Sequence, residues 1–253
     1  MQPAGRVVAV TGANRGIGRA IAMAFARQGA HLALLDLTFD QTSTQTEDTS
    51  PRETRTACYP CDVCNETQVM AAFQQIAADF GRLDVLINNA GITRDALLVK
   101  VEDGLVSRRM SLEQWQSVID INLTGTFLCG REAAAQMIRF GNGGVIINIS
   151  SISREGNVGQ TNYSASKAAV AAMSVVWAKE LARYGLRAAS IAPGMTRTDM
   201  IATMKTEALD RMARAVPLQR LADVEEIARA AVFIVENDYF TGRCIEVDGG
   251  LRL

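Results

Sequence analysis

The chain has 253 residues, of which 48% are hydrophobic and 21% charged, with a formal net charge of −1. That composition suits one soluble α/β domain with a substantial buried core. The balanced charge offers no field for nucleic acid or anionic membrane, and no run reaches the ~18–20 uninterrupted apolar residues of a bilayer span. Residues Met1 to Gly5 lead straight into an apolar run, so no signal peptide is expected and the cytosol is the expected compartment.

A strand-like run, Arg6 to Val10, opens the chain, and a helical pattern over 17–28 follows it. Between them stands Thr11-Gly12-Ala13-Asn14-Arg15-Gly16-Ile17-Gly18. Strand, glycine turn and helix are the context of a dinucleotide site, because glycines let backbone N–H groups approach a pyrophosphate at the helix N-terminus. The next strand, His31 to Leu35, ends at Asp36, placed to accept hydrogen bonds from an adenosine ribose. Residues Thr38 to Thr56 are rich in Thr, Ser, Gln and acids and predict a short or ragged surface element.

Five cysteines argue against a disulfide framework, and Cys58, Cys61 and Cys64 tempt a metal reading. A zinc site wants a fourth ligand, and His31 is the only histidine, so no metal is expected. Cys58 to Val63 read instead as the third strand and its exit, with Cys58 and Cys61 on opposite faces. Helices are expected over 66–80, 112–139, 162–184 and 223–235, with strands at Val85 to Ile87, Val145 to Ile149, Arg187 to Ile191 and Cys244 to Val247. Near-continuous apolar strands alternating with amphipathic helices predict a doubly wound parallel sheet, flanked by helices on both faces, in a single Rossmann-fold domain over 1–253.

Tyr163 and Lys167 lie four residues apart on the helix predicted over 162–184, one above the other. The ammonium favours tyrosinate and should pull the phenol's pKa down, which is how a tyrosine becomes a general acid/base.

Taken together, these segments resemble the short-chain dehydrogenases/reductases over essentially residues 5 to 250. The motifs that carry the resemblance are Thr11 to Gly18, Asn88-Asn89-Ala90-Gly91, the set Asn122, Ser150, Tyr163 and Lys167, and Pro193-Gly194. The resemblance implies that Tyr163 exchanges a proton with the substrate oxygen while Lys167 lowers its pKa and holds the nicotinamide ribose. Ser150, thirteen residues before Tyr163, would donate to the same oxygen; Ser151 and Ser153 would be decoys, and Asn122 would anchor a water. Cofactor contacts would come from Gly12, Asn14, Arg15, Gly16, Ile17, Gly18, Asp36, Asp62, Val63, Asn89, Ala90, Gly91, Tyr163, Lys167, Pro193, Gly194, Thr196 and Thr198. The segment from Thr198 to Arg211, with Met200 and Met204, resembles a substrate lid. Between Gly91 and Asn122 the chain is longer by roughly nine residues than the family's usual run, and the extra stretch, around 97–110, reads as a surface loop, a flap or an assembly contact.

Asp36 would repel the 2′-phosphate of NADP(H), whereas Arg15 would favour it; a carboxylate facing a dianion outweighs a flexible arginine, so NAD(H) is expected. The flanking segments look most like 3-oxoacyl-[acyl-carrier-protein] reductases, which implies a 3-oxoacyl thioester substrate and a contact with acyl carrier protein near Arg139 and Arg183. An NAD-dependent 3-hydroxyacyl-CoA, sugar or secondary-alcohol dehydrogenase is the alternative, and an NADH-sensing regulator or scaffold the non-enzymatic one. Resemblance also implies a homotetramer built through the long helices.

Overall fold

The computed structural model describes residues 1–39, 54–198 and 206–253. Seven of its strands form one parallel sheet: Val7–Thr11 (β1), His31–Asp36 (β2), Thr56–Pro60 (β3), Val85–Asn88 (β4), Gly144–Ile149 (β7), Leu186–Pro193 (β8) and Cys244–Val247 (β9). Val99–Glu102 (β5) and Leu105–Arg109 (β6) make a separate antiparallel hairpin. The sheet order is β3-β2-β1-β4-β7-β8-β9, so consecutive connections run outward in opposite directions from β1 and β4. That reversal opens a crevice at the carboxyl ends of β1 and β4, where open α/β sheets bind ligands.

Gly16–Arg27 (α1) and Val224–Glu236 (α7) cover one face, burying Ile21, Phe25, Ile227 and Ile234 on Val8, Val10 and Ile147. The other face is covered by Glu66–Phe80 (α2), Thr126–Phe140 (α4) and Thr161–Leu181 (α5), with Phe73, Ile76, Leu128 and Met137 over Val7, Leu86 and Ile146. Cys58 packs against the first core and Cys61 lies within the second, on opposite faces as the strand pattern implied, although β3 itself ends at Pro60. Gly130 leaves room for the Trp177 indole where α4 crosses α5: a Cβ there would lie 2.4 Å from the ring. Val176, its neighbour, is exposed.

Two expectations change. The helix expected over 112–139 is broken into Leu112–Ile119 (α3), a π-helical turn at Asp120–Gly125, and α4. A reciprocal capping box starts α3: Gln114 N–H donates to Ser111 Oγ at 3.1 Å, and Ser111 N–H donates to Gln114 Oε1 at 3.0 Å. The stretch around 97–110, read as a surface loop, a flap or an assembly contact, is the β5–β6 hairpin, exposed along both strands. Most of the ragged segment expected over 38–56, and Met200 and Met204 of the segment likened to a lid, fall outside the described residues; Thr206–Ala215 (α6) is a helix that begins within that segment.

At the amino edge of the sheet, Asp84 is fully buried and accepts from Arg82 Nε and Nη2 (2.7 Å each), Arg6 Nη1 (3.3 Å), Val7 N–H (2.9 Å) and Asn142 Nδ2 (3.1 Å). Removing one partner of such a buried network strands the others. Asp84→Ala is therefore expected to lower unfolding stability by about 3–5 kcal/mol in urea titration. Activity per folded molecule should survive, because the site lies at the opposite edge.

Candidate active site

The crevice is built around Thr11 and Asn89. Thr11 Oγ1 accepts from the N–H groups of Asn89 (3.0 Å) and Ala90 (3.1 Å), while Asn89 Nδ2 donates to the carbonyls of Thr11 (3.1 Å) and Gly12 (3.0 Å). This pulls the two loops so close that a Cβ on Gly12 would lie 2.9 Å from Ala90 Cα, and one on Gly18 2.2 Å from the Gly12 carbonyl oxygen. Gly16, at φ +57, faces open space bounded by the Thr198 methyl at 3.9 Å from its would-be Cβ. The N-terminus of α1 has no side-chain cap and no acid in its first turn, so its N–H groups are aimed at an anion. This cradle of glycines at an uncapped helix N-terminus, with open space beside Gly16, suits the anionic part of a nicotinamide dinucleotide.

Asp36 ends β2 with both carboxylate oxygens engaged by backbone, Oδ2 by Asn14 N–H (2.9 Å) and Oδ1 by Leu37 N–H (2.8 Å). Each oxygen keeps a lone pair for a ribose hydroxyl. Arg15, at the N-cap of α1, is exposed. Asp62 Oδ1 accepts from Cys64 N–H at 2.9 Å, and Val63 is wedged beneath Gly125, whose Cβ would meet its side chain at 2.7 Å. Pro193 ends β8, and Gly194 passes so near Asp248 that a Cβ would be 2.6 Å from its Cα. Thr196 Oγ1 donates to the Gly194 carbonyl at 3.1 Å, which leaves Thr198 facing Gly16.

Across the crevice, Asn122, Gly91, Lys167 and Tyr163 converge. The Asn122 amide is occupied by protein: Oδ1 accepts from Ile92 N–H (2.8 Å), and Nδ2 donates to the Ile92 carbonyl (3.0 Å) and Ser166 Oγ (3.2 Å). Its own carbonyl accepts from Thr126 Oγ1 at 2.8 Å within the π-helical turn, the kind of interruption that often marks functional helices. A Cβ on Gly91 would lie 3.2 Å from Asn122 Oδ1 and 3.5 Å from Lys167 Nζ. Lys167 is buried, donates from Nζ to the Ile149 carbonyl at 2.7 Å, and lies 5.6 Å from the Tyr163 ring centre. Burial lowers its pKa to about 8.

Two expectations at this site are corrected. The serine whose hydroxyl acts on the Tyr163 phenol, lowering its pKa, is Ser151. Ser150 is turned away: its Oγ donates to the Lys167 carbonyl at 2.7 Å, tying β7 to α5. Counting thirteen residues back from Tyr163 misses this, because the route from β7 to α5 is set by the single helical turn at Ile152–Glu155, which Ser151 caps by accepting from Ser153 N–H at 3.1 Å. Second, the Tyr163 pKa is raised, not lowered: loss of hydration dominates, the Ser151 hydrogen bond opposes it, and the Asp95 carboxylate adds to the rise.

Sequence reasoning also left Asn162 and Ser166 without a task. Asn162 is fully buried; its Nδ2 donates to the carbonyls of Arg94 (3.0 Å) and Gln114 (2.9 Å), and its Oδ1 accepts from Tyr163 N–H at 2.8 Å. Ser166 Oγ donates to the Tyr163 carbonyl at 2.7 Å. A polar pair at i and i+4, on the same helix as Tyr163, was the available signal.

A family model described as Enoyl-(Acyl carrier protein) reductase matches residues 12–252. The chain is 37% identical to the 3-oxoacyl-[acyl-carrier-protein] reductase FabG of Thermotoga maritima, with 99% of each chain covered. The chain belongs to the short-chain dehydrogenase/reductase family. As a member of that family it is an oxidoreductase, and the cofactor of the family is a nicotinamide dinucleotide. It is also 39% identical to the (3R)-3-hydroxyacyl-CoA dehydrogenase of Rattus norvegicus, covering 96% of this chain and 94% of that one. A short-chain type dehydrogenase/reductase from Mycobacterium marinum has a similar fold, with a TM-score of 0.88 and 29% identity over 98% of this chain and 96% of that chain. No helix of the described residues is long and apolar enough to cross a membrane.

Three outcomes follow for this family member. Ser151→Ala should reduce kcat by roughly a hundredfold, as loss of a donor to a developing oxyanion does. Ser150→Ala should instead lower unfolding stability by about 1 kcal/mol and leave kcat nearly unchanged. For Lys167, the folded pKa of about 8 lies below the ordinary 10.5. The unfolded chain therefore holds more protons across that window, and stability contributed at this position rises with pH through it. The stability of the wild type minus that of Lys167→Met should climb by up to about 1.4 kcal/mol per pH unit above pH 8 and flatten below, measured by denaturation at each pH.

Proposed function

We propose that this oxidoreductase reduces 3-oxoacyl thioesters to 3-hydroxyacyl thioesters, with NADH favoured over NADPH. The observation that carries the reading is Tyr163 held protonated by burial beside Ser151, in a chain whose full-length relatives are named for 3-oxoacyl and 3-hydroxyacyl thioesters. A phenol that keeps its proton is suited to give it away. Ser151 and the phenol converge on one substrate oxygen; Ser151 steadies the charge that grows there, and Tyr163 donates the proton that makes the hydroxyl.

The bound nicotinamide supplies a hydride equivalent to the carbonyl carbon. Lys167 orients the cofactor ribose and holds positive charge against the tyrosinate left behind, and Asn122 keeps the Gly91–Ile92 backbone and Ser166 in register around both. Thr196 and Thr198, Asn89 to Gly91, and Asp62 with Val63 complete the cofactor's walls. Asp36 selects among nicotinamides, since its carboxylate pairs with a free ribose 2′-hydroxyl and repels a 2′-phosphate. Arg139 and Arg183, each lying over the aromatic ring that follows it, support a contact with the acidic acyl carrier protein. The exposed Phe127 and Val176 of α4 and α5 support a homotetramer built through those helices.

The test is oxidation of NADH and of NADPH with acetoacetyl-CoA and with the same acyl group on carrier protein. Turnover with NADH should exceed that with NADPH by about tenfold or more, and Asp36→Ser should narrow or reverse the ratio. Tyr163→Phe should lower kcat by about a thousandfold without loss of nucleotide binding. A preference for NADPH in the wild type removes the role given to Asp36, and turnover of alcohols or sugars but neither thioester removes the substrate.

A further inference from the structure

We propose that Asp95 screens substrates by charge: its carboxylate, held over the turn that presents Tyr163, admits a group that is neutral beside the reacting carbonyl and turns away the anion of the free 3-oxo acid. The inference rests on the substrate reading given above and gives a reason why the thioester, and not the acid, is taken.

Asp95 follows β4 on a segment that three hydrogen bonds tie to the start of α5. Ala96 N–H donates to the Gly159 carbonyl at 2.8 Å, Asn162 Nδ2 to the Arg94 carbonyl at 3.0 Å, and Gln160 Nε2 to Asp95 Oδ2 at 3.0 Å. Gln160 is the N-cap residue of α5, and Tyr163 stands three positions further on. Residues three apart on a helix share a face, with roughly 5–6 Å between their Cβ atoms. A carboxylate bonded to the Gln160 amide therefore sits within about one helical turn of the phenol. Gln160 is itself held, because its Oε1 accepts from Asn157 Nδ2 at 3.0 Å.

Arg94, the neighbour of Asp95 in the chain, donates from Nη1 to the Thr93 carbonyl at 3.0 Å and so directs that donor away from the carboxylate. The helix α5 starts without a side-chain cap and without an acid in its first turn, so its N–H groups attract a negative charge brought from outside. Three groups surround the phenol. Lys167, on the same helix, has its ammonium 5.6 Å from the ring; Ser151, at the end of β7, brings a hydroxyl; Asp95 brings a carboxylate whose charge raises the phenol's pKa. The field of Asp95 thus reaches the reacting end of the site.

In a 3-oxo acid the carboxyl carbon is two bonds from the ketone carbon that takes the hydride. Ionised, it sets a second negative charge next to the oxygen on which Tyr163 and Ser151 act, against Asp95. In a thioester the same carbon is neutral, and the phosphates of coenzyme A or of a carrier-protein arm lie a pantetheine's length away. Asp95 is exposed, so solvent screens the repulsion, and the discrimination it contributes is about three- to tenfold.

The test compares kcat/KM with NADH for acetoacetate, for its neutral methyl ester and for acetoacetyl-CoA. The wild type should prefer the ester to the acid, and Asp95→Asn should narrow that preference about threefold or more through faster use of the acid. Asparagine keeps an oxygen for the Gln160 amide, so a role confined to bracing the turn leaves the ratio where it was. Raising salt from about 0.1 M to about 1 M, which shortens the screening length from about 10 Å to about 3 Å, should narrow the ratio in the wild type and barely move it in the variant. The proposal is overturned if wild type and Asp95→Asn share one ester-to-acid ratio, or if the wild-type ratio is indifferent to salt. Turnover of the ester with the expected ratios but none of acetoacetyl-CoA removes the thioester reading and leaves Asp95 its role. Turnover of acetoacetyl-CoA with an unchanged ratio does the reverse, and turnover of none of the three overturns both.

Discussion

Four hydrogen bonds between Thr11, Gly12, Asn89 and Ala90 hold together the carboxyl ends of β1 and β4, and everything functional hangs from that join. The sheet reverses its winding there, so two loops that would otherwise diverge are pressed to backbone contact. Only glycine fits at 12 and 18 under that pressure. Gly16, in the same loop, keeps open space beside it, bounded by the Thr198 methyl. The glycine pattern is thus a consequence of a packing constraint as much as a phosphate motif.

The other half of the site is held by buried polar side chains. Asn88 Nδ2 donates to Asn148 Oδ1 at 2.8 Å, and Asn148 Nδ2 donates to Ser174 Oγ at 3.0 Å, so β4, β7 and α5 are linked in sequence through the interior. Asn122, Ser166 and Asn162 continue the network to the turn before Tyr163. In a medium of low polarity each bond is strong and each missing partner is expensive, which makes the arrangement stiff. The same bonds fix the backbone on either side of Tyr163 and the helix that carries Lys167.

Burial also sets the protonation states from which the site works. It raises the Tyr163 pKa and lowers that of Lys167, because each is denied hydration in its charged form. The two shifts carry the groups apart: the phenol moves up from its ordinary value while the ammonium falls from 10.5 to about 8, so the proton stays on tyrosine. Ser151 lowers the tyrosine and Asp95 raises it, and these two neighbours flank the phenol as opposing adjustments.

Much of this was legible in the sequence. Apolar runs of strand length alternating with amphipathic helices determine the parallel α/β sheet, since a strand buried on both faces needs apolar residues throughout and a covering helix needs one apolar stripe. Glycine spacing after the first strand, an acid ending the second, and a tyrosine and lysine one helical turn apart are local facts, and local geometry suffices to interpret them. The side to which Ser150 turns, the break in the helix at Asn122, and the hairpin between Gly91 and Asn122 were decided only by tertiary structure. Ser150 and Ser151 are chemically identical neighbours, and the direction in which each points depends on a turn whose path is fixed by contacts distant in sequence. The pKa directions belong there too: spacing alone puts a cation near a phenol, but only the folded interior decides how much water either one loses, and that loss outweighs the attraction.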